Sequence, residues 1–165
     1  MRQSLIISWH PRQKGTFMSE ISIRPVKAQD INDVNSLEKE CFITPWSIEV
    51  LLVDMFQSLY NRYFVVEKHG RIIGYAGINT VIDEAHIRKL CITTCERHNG
   101  YGLELLRYIE NYCRNNGIKD LTLEVRRSNE RAIRLYESFG FINEGIRPKY
   151  YDGIEDAIIM WKRDI

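Results

Sequence analysis

The spacing of apolar residues changes repeatedly between a two-residue and a three-to-four-residue period, and this alternation most limits the folds open to the chain. The strand-like period covers residues 21–24, 63–68, 71–81, 85–92, 121–125, 141–147 and 155–162. The helical period covers residues 31–41, 48–56, 102–116 and 129–139. There is no internal repeat or linker, so the order β-α-α-β-β-β-α-β-α-β-β predicts one mixed α/β domain with a mixed sheet.

Small polar residues and glycines mark the ends of these elements. Ser47 is placed to cap the second helix, whose predicted buried face comprises Ile48, Leu51, Leu52, Met55 and Phe56. His69-Gly70 and Asp152-Gly153 each predict a tight turn between two strands. Gly117 and Gly140 stand where the last two helices are expected to end.

Length and charge exclude several classes of protein. A chain of 165 residues with 44% hydrophobic residues is typical of a single globular domain. The net charge is only +1, whereas nucleic-acid-binding domains are usually strongly basic, so we expect no nucleic-acid partner. No apolar run approaches the length of a signal-peptide core or a membrane span. We therefore expect no membrane partner and a cytoplasmic location.

The beginning of the chain differs from the rest. Residues 1–17 have no apolar periodicity and contain three basic residues but no acidic one. We interpret them as an N-terminal extension, either disordered or non-native, that precedes a single domain over residues 18–165; Met18 is an alternative start. The four cysteines form no Cys-x-x-Cys pair, so we expect free thiols and no metal site.

Residues 91–103 run from a predicted strand through a short loop into an amphipathic helix. Gly100 and Gly102 allow successive N–H groups of this loop to converge, and the start of the helix adds partial positive charge at the same point. Arg97 and His98 are placed to neutralise a pyrophosphate there. Spacing alone leaves two alternatives open, a phosphate site and an ordinary pair of helix-start glycines. The third glycine of a dinucleotide motif and the Gly-Lys-Ser/Thr of a Walker loop are both absent.

Arg97-x-x-Gly100-x-Gly102, between a strand and a helix, resembles the acyl-CoA pyrophosphate motif of the GNAT superfamily of N-acyltransferases. The resemblance covers residues 21–162 and is closest to the RimI group, the bacterial ribosomal-protein-alanine N-acetyltransferases. It also rests on residues 45–47, 82–87, 123–126, 128–129, 132, 135–141, 150–151 and 155–160. It implies the GNAT fold, acetyl-CoA as co-substrate without a metal, and the N-terminal peptide of the eighteenth small-subunit ribosomal protein, beginning with alanine, as acceptor.

The resemblance also implies roles for single residues. Glu124 matches the general base, and Tyr136 matches the general acid that protonates the leaving thiolate after direct attack of the amine on the thioester. The strand edge formed by Leu90, Cys91 and Ile92 would bind the pantetheine arm, and a backbone N–H near Ile92 would polarise the thioester carbonyl. The other implied cofactor-binding residues are Arg97, His98, Asn99, Gly100, Tyr101, Gly102, Leu103 and Asn129. The implied acceptor-binding residues are Trp46, Tyr150 and Tyr151, carried by segments 42–46 and 149–153.

Pattern alone gives the same residues structural roles. Glu124 alternates with leucines as a solvated strand residue would, Tyr136 lies on an apolar helix face, and Asn129 can serve as a helix cap. Thr94, Cys95, Glu96 and His98 depart from the residues common in the family motif, which leaves pyrophosphate neutralisation mainly to Arg97. Two alternatives remain: an acetyltransferase for a small amine such as a polyamine or aminoglycoside, and a non-catalytic acyl-CoA-binding module.

Overall fold

A computed structural model describes residues 20–165; the predicted extension over 1–17 and the alternative start at Met18 lie outside these residues. The elements follow the predicted order, which confirms the mixed α/β fold. The strands are β1 (Ile21–Pro25), β2 (Asn61–Lys68), β3 (Arg71–Val81), β4 (Glu84–Ile92), β5 (Asp120–Arg126), β6 (Ile142–Tyr151) and β7 (Glu155–Lys162). The helices are α1 (Ile31–Cys41), α2 (Ile48–Phe56), α3 (Tyr101–Asn115) and α4 (Glu130–Ser138).

The strands form one seven-stranded sheet in the order β1-β2-β3-β4-β5-β7-β6. All neighbouring pairs are antiparallel except β4 and β5, which are parallel. A parallel pair needs a crossover connection, and α3 supplies it. The chain between these two central strands therefore passes through the glycine-containing loop and then through α3.

Helices cover both faces of the sheet. The larger core lies under α3 and α4, where Leu105, Leu106 and Ile109 are fully buried. The second core lies under α1 and α2, around Val34 and Leu51. Successive strand side chains point to opposite faces, so β2, β3 and β4 each contribute to both cores.

Two local predictions were wrong. In α2, Leu52 and Phe56 are 39% and 43% exposed, and the buried residues are Leu51 and Met55, so the helix buries a narrower stripe than predicted. Strand β6 extends to Tyr151, beyond the predicted 141–147 segment. Pro148 lies within it because β6 is an edge strand, where a missing N–H leaves no ladder bond unmade.

Strands β4 and β5 separate halfway along their length. Their pairing runs from Glu84 opposite Asp120 to Ile87 opposite Leu123 and then stops, although both strands continue. At the same point the register between β3 and β4 shifts, and Arg88 is the extra residue on β4. Such a bulge bends the strand that carries it. The second half of β4 is thereby left with one open edge, which faces β5.

Candidate active site

The open edge of β4 presents backbone groups toward the gap beside β5. On the other edge, Thr93 N–H donates to the Ile73 carbonyl at 2.8 Å. Backbone groups alternate along a strand, so those of Leu90 and Ile92 point away from β3. The Ile92 carbonyl accepts a hydrogen bond from Arg97 Nε at 2.9 Å, which agrees with this orientation. The structure thus brings the predicted pantetheine-binding edge to the opening in the sheet.

The loop before α3 has a curled backbone with unpaired donors. His98 and Gly100 have φ values of 68° and 82°, and Gly100 is the N-cap residue of α3. Within residues 20–165, the N–H groups of residues 98–102 donate to no backbone or side-chain acceptor, whereas the N–H groups of Leu103 and Glu104 bond to the Gly100 carbonyl. Successive free N–H groups at a helix start form an anion site. This geometry fits a pyrophosphate, and it favours a phosphate site over an ordinary pair of helix-start glycines.

Three side chains near this loop, those of Arg97, Asn99 and Tyr101, have partners within the protein. The Arg97 guanidinium lies at the end of β4, with Nη2 3.6 Å from Cys41 Sγ. Asn99 Nδ2 donates to the Glu96 carbonyl at 3.2 Å, and the hydroxyl of the buried Tyr101 donates to Glu20 at 2.9 Å. A Cβ on Gly102 would lie 3.3 Å from the Leu135 side chain, so this glycine also allows α3 to approach α4. The backbone is therefore the main part of the loop that is free to bind an anion.

Glu124 lies in β5 on the sheet face that carries α1 and α2, beside the point where β4 and β5 separate. Its side chain is 10% exposed, contacts His86 Nε2 of β4 at hydrogen-bond distance and lies 3.2 Å from Arg147 Nη2 of β6. The hydrogen bond from His86, together with the positive charge at Arg147, lowers the pKa of Glu124 although burial acts to raise it. Glu124 is therefore a largely buried carboxylate that stays ionised at neutral pH.

Tyr136 lies in α4 with its ring in the larger core, packed edge-on against Phe141. Burial raises the pKa of Tyr136, and the phenol of Tyr151 and the thiol of Cys91 reinforce the effect. In the part of the chain that the structure describes, the Tyr136 hydroxyl has no hydrogen-bond partner. It is therefore a protonated group near both the β4 edge and the β6–β7 hairpin. Asn129 caps α4, with Oδ1 accepting from Ala132 N–H at 3.2 Å, which leaves its amide nitrogen free.

Two segments approach each other across the sheet face that carries Glu124. Thr44 Oγ1, in the α1–α2 loop, donates to Asp152 Oδ1 in the β6–β7 turn at 3.5 Å. Tyr151 donates its hydroxyl to the Glu124 carbonyl at 3.0 Å, and its ring packs edge-on against Tyr150 at 5.1 Å between centroids. The structure thus brings both predicted acceptor-binding segments together, with Tyr151 anchored to the strand that carries Glu124.

Trp46, on the α1–α2 loop, is held by a buried polar cluster that the sequence reasoning missed. Glu38 is fully buried, accepts from the Trp46 backbone N–H at 3.0 Å and from Tyr75, and pairs with Lys89 Nζ at 2.5 Å. Lys89 Nζ also lies 4.2 Å and 4.3 Å from the ring centroids of Phe42 and Trp46. The cluster therefore fixes this loop to β4, one residue from the predicted pantetheine-binding edge.

An open groove of about 620 Å³ begins at His86, the residue that contacts Glu124. It lies between the end of α2 and strands β2 to β4, and polar residues line most of it: Asp54, Gln57, Ser58, Asn61, Asn79, His86 and Arg88, with Val53.

No cluster of three or more His, Cys, Asp or Glu side chains in residues 20–165 is arranged to hold a metal ion. None of the helices in that range is long and apolar enough to cross a membrane.

Comparison with known proteins agrees with this architecture. The family model of the GNAT acetyltransferases matches residues 31–141. A Bacillus subtilis protein, provisionally named a [ribosomal protein bS18]-alanine N-acetyltransferase, is 36% identical over 87% of this chain and 95% of its own length. An uncharacterised N-acetyltransferase of Methanocaldococcus jannaschii is 36% identical over 86% of this chain and 90% of its own length.

A solved structure gives the same result for the fold. The crystal structure of the Escherichia coli ribosomal-protein-S18-alanine N-acetyltransferase superposes with a TM-score of 0.81 and 31% identity, over 87% of this chain and 94% of that one. The relatives match nearly their whole lengths, and the family model spans β4, the loop after it and α3, which form the candidate anion site. The protein is an acetyltransferase that belongs to the GNAT family.

Proposed function

We propose that the protein is an acetyl-CoA-dependent N-alpha-acetyltransferase that acts on the N-terminal alanine of ribosomal protein bS18. The observation that supports the proposal is a largely buried carboxylate, Glu124, beside the point where β4 and β5 separate, together with a buried phenol, Tyr136, whose pKa burial and Cys91 of β4 raise. The names of the Bacillus subtilis and Escherichia coli relatives support alanine at the N-terminus of bS18 as the acceptor.

Acetyl-CoA fits the unpaired backbone donors around this opening, and when bound it supplies an activated thioester. The N–H groups of residues 98–102 would hold the pyrophosphate, and the open edge at Leu90 and Ile92 would bind the pantetheine arm as an extra strand would. An N–H from Ile92 would also polarise the thioester carbonyl; one such donor contributes about 2.7–4 kcal/mol in other acyl-transfer sites.

Proton transfer is assigned to two groups. A peptide α-amino group has a pKa of about 7.7–8.0, so part of it is already neutral at physiological pH. Glu124 would take the remaining proton, directly or through water, and His86 and Arg147 keep its carboxylate ionised and oriented. Tyr136 would donate its proton to the departing thiolate, because burial keeps the phenol protonated. No covalent enzyme intermediate is required.

The acceptor would enter between the α1–α2 loop and the β6–β7 turn. The hydrogen bond between Thr44 and Asp152 bridges the two segments and would bound this entrance on one side. Tyr150 of β6 and Trp46 of the α1–α2 loop would flank this entrance, where their rings could pack against the first side chains of the peptide. The α-amino group would then lie over Glu124.

The test is CoA release from acetyl-CoA with two acceptors: the bS18 N-terminal hexapeptide and the same peptide with a blocked α-amino group. We expect release with the free peptide only, and a loss of at least about a hundredfold in Glu124→Gln and Tyr136→Phe. Glu137→Gln and Tyr60→Phe are matched controls, because both residues are exposed and lie outside the site. Equal release with a polyamine or an aminoglycoside, or full activity of Glu124→Gln, would contradict the proposal.

A further inference from the structure

Two cysteines and an arginine meet where α1 packs against the end of β4. Cys41 is the last residue of α1, and Cys91 lies in the cofactor-facing half of β4. Both belong to the core beneath α1 and α2, and both are free thiols. Arg97 Nη2 lies 3.6 Å from Cys41 Sγ, and Cys41 in turn donates to the Ile92 carbonyl at 3.7 Å. The acetyl-transfer chemistry uses neither sulfur.

The two thiols differ in exposure and ionisation. Cys41 is partly exposed, and a hydrogen bond from Cys91, helped by Arg97, lowers the pKa of Cys41 to about 7. Burial and, more weakly, Glu40 act to raise the pKa of Cys41. Cys91 is 6% exposed, and burial raises its pKa well above the usual value. A thiolate is the nucleophile in thiol chemistry, so one sulfur is set to react with an external reagent and the other only with its neighbour.

The remaining two cysteines lack this arrangement. Cys95 is exposed in the loop after β4, and its Sγ lies 3.8 Å from the hydroxyl of Thr93. Cys113 is fully buried in α3, and burial raises its pKa to about 12. Cys95 therefore serves as an exposed control and Cys113 as a buried one.

We propose that Cys41 and Cys91 form a thiol modification site that takes low-molecular-weight disulfides, with Cys41 as the attacking thiol and Cys91 as the resolving thiol. The Cys41 thiolate attacks one sulfur of the disulfide, which forms a mixed disulfide and releases the first small thiolate to take a proton from water. Cys91 then loses its proton and attacks the Cys41 sulfur. This forms the Cys41–Cys91 bond and releases the second small thiol. The protein loses two electrons, and the external disulfide gains them.

The bond would tie α1 to the strand edge that binds the pantetheine arm. It would convert the Cys41 thiolate that Arg97 contacts into a neutral disulfide and would constrain the side chain of Cys91 in β4. If the proposed function is correct, the oxidised protein loses acetyl transfer and recovers it after reduction. This consequence rests on the proposed function, whereas formation of the disulfide does not.

The experiment treats the full chain with oxidised glutathione at neutral pH, quenches it by acid and maps peptides by mass spectrometry without reduction. We expect wild-type protein and Cys95→Ser to give the peptide pair joined through Cys41 and Cys91, with a mass loss of two hydrogen atoms. Cys91→Ser is expected to accumulate glutathione on Cys41, because the resolving thiol is missing. Cys41→Ser is expected to leave Cys91 unmodified.

Two results would overturn the proposal. One is glutathione on Cys95 in the wild-type protein before any change at Cys41. The other is a stable mixed disulfide at Cys41 in the wild-type protein with no internal bond. Should Cys91→Ser fail to fold, the wild-type map and Cys41→Ser still decide between these outcomes. Since the mapping needs no acetyl-CoA, a negative result here is separate from failure of the acetyl-transfer assay.

Discussion

Replacing Lys89 by methionine tests whether the buried cluster holds the α1–α2 loop. Methionine retains most of the apolar stem of the lysine but removes the charge that pairs with Glu38 at 2.5 Å. The Glu38 side chain is 0% exposed, so the variant leaves a buried carboxylate that has lost its cation. Removing one partner of a buried ion pair costs about 3–5 kcal/mol. We expect about 3 kcal/mol here, because the bonds from Tyr75 and Trp46 to Glu38 remain.

Urea unfolding followed by circular dichroism measures this loss, and Arg107→Met is the control. Arg107 pairs with Glu104 on the surface of α3, where both side chains are about half exposed, so its removal is expected to cost less than about 0.5 kcal/mol. The double variant Glu38→Gln/Lys89→Met should recover part of the loss, since it leaves no unpaired buried charge. A Lys89→Met variant that is as stable as Arg107→Met would refute the reasoning.

Three further outcomes are expected. Asp30→Asn should cost about 1.5–3 kcal/mol of unfolding free energy at neutral pH, because two hydrogen bonds from Arg24 stabilise the Asp30 carboxylate and lower its pKa. The stability that this carboxylate contributes is complete above about pH 4 and is lost as the pH falls through the native pKa. The penalty measured by urea unfolding should therefore shrink in acid. Gly102→Val should raise the KM for acetyl-CoA more than it lowers kcat, because the valine side chain would displace Leu135 and tilt the start of α3. An unchanged KM would count against the loop before α3 as the anion site. In the pH profile of kcat/KM, the acidic limb should follow the pKa of the peptide amine, because Glu124 is already ionised in that pH range. The limb should therefore move when peptides with different amine pKa values are compared. A limb that does not move would contradict the assignment of Glu124 as the general base.

The succession of elements could be predicted from the sequence because it depends on local patterns. The two periods of apolar residues identified every strand and long helix of residues 20–165, and Ser47 caps α2 through the Val50 N–H as predicted. The turn at His69-Gly70 has positive φ at both residues. Such features are set by short-range sterics and hydrogen bonds. The predicted face of α2 was wrong because α2 packs on the sheet along a narrow stripe, and Leu52 lies outside it.

The candidate site depends on register, which the pattern does not specify. His86 reaches Glu124 because parallel pairing sets His86 opposite Thr122, and both strands then part after Ile87. The opening itself depends on the bulge at Arg88, which leaves no signal in apolar spacing. The contact of Arg147 with Glu124 spans three neighbouring strands and could not be foreseen from the sequence. The motif Arg97-x-x-Gly100-x-Gly102, by contrast, lies in the loop before α3 as predicted, because Gly100 has a positive φ that favours glycine.

Acetyl transfer to a bS18 N-terminal peptide that also contains an internal lysine tests the central claim most directly. The protein, acetyl-CoA and the peptide are incubated together, and fragmentation of the product by mass spectrometry locates the acetyl group. We predict one acetyl group on the α-amino nitrogen of the first alanine, and none in Glu124→Gln. An acetyl group on the lysine side chain, or no product while acetyl-CoA still binds saturably, would contradict the account.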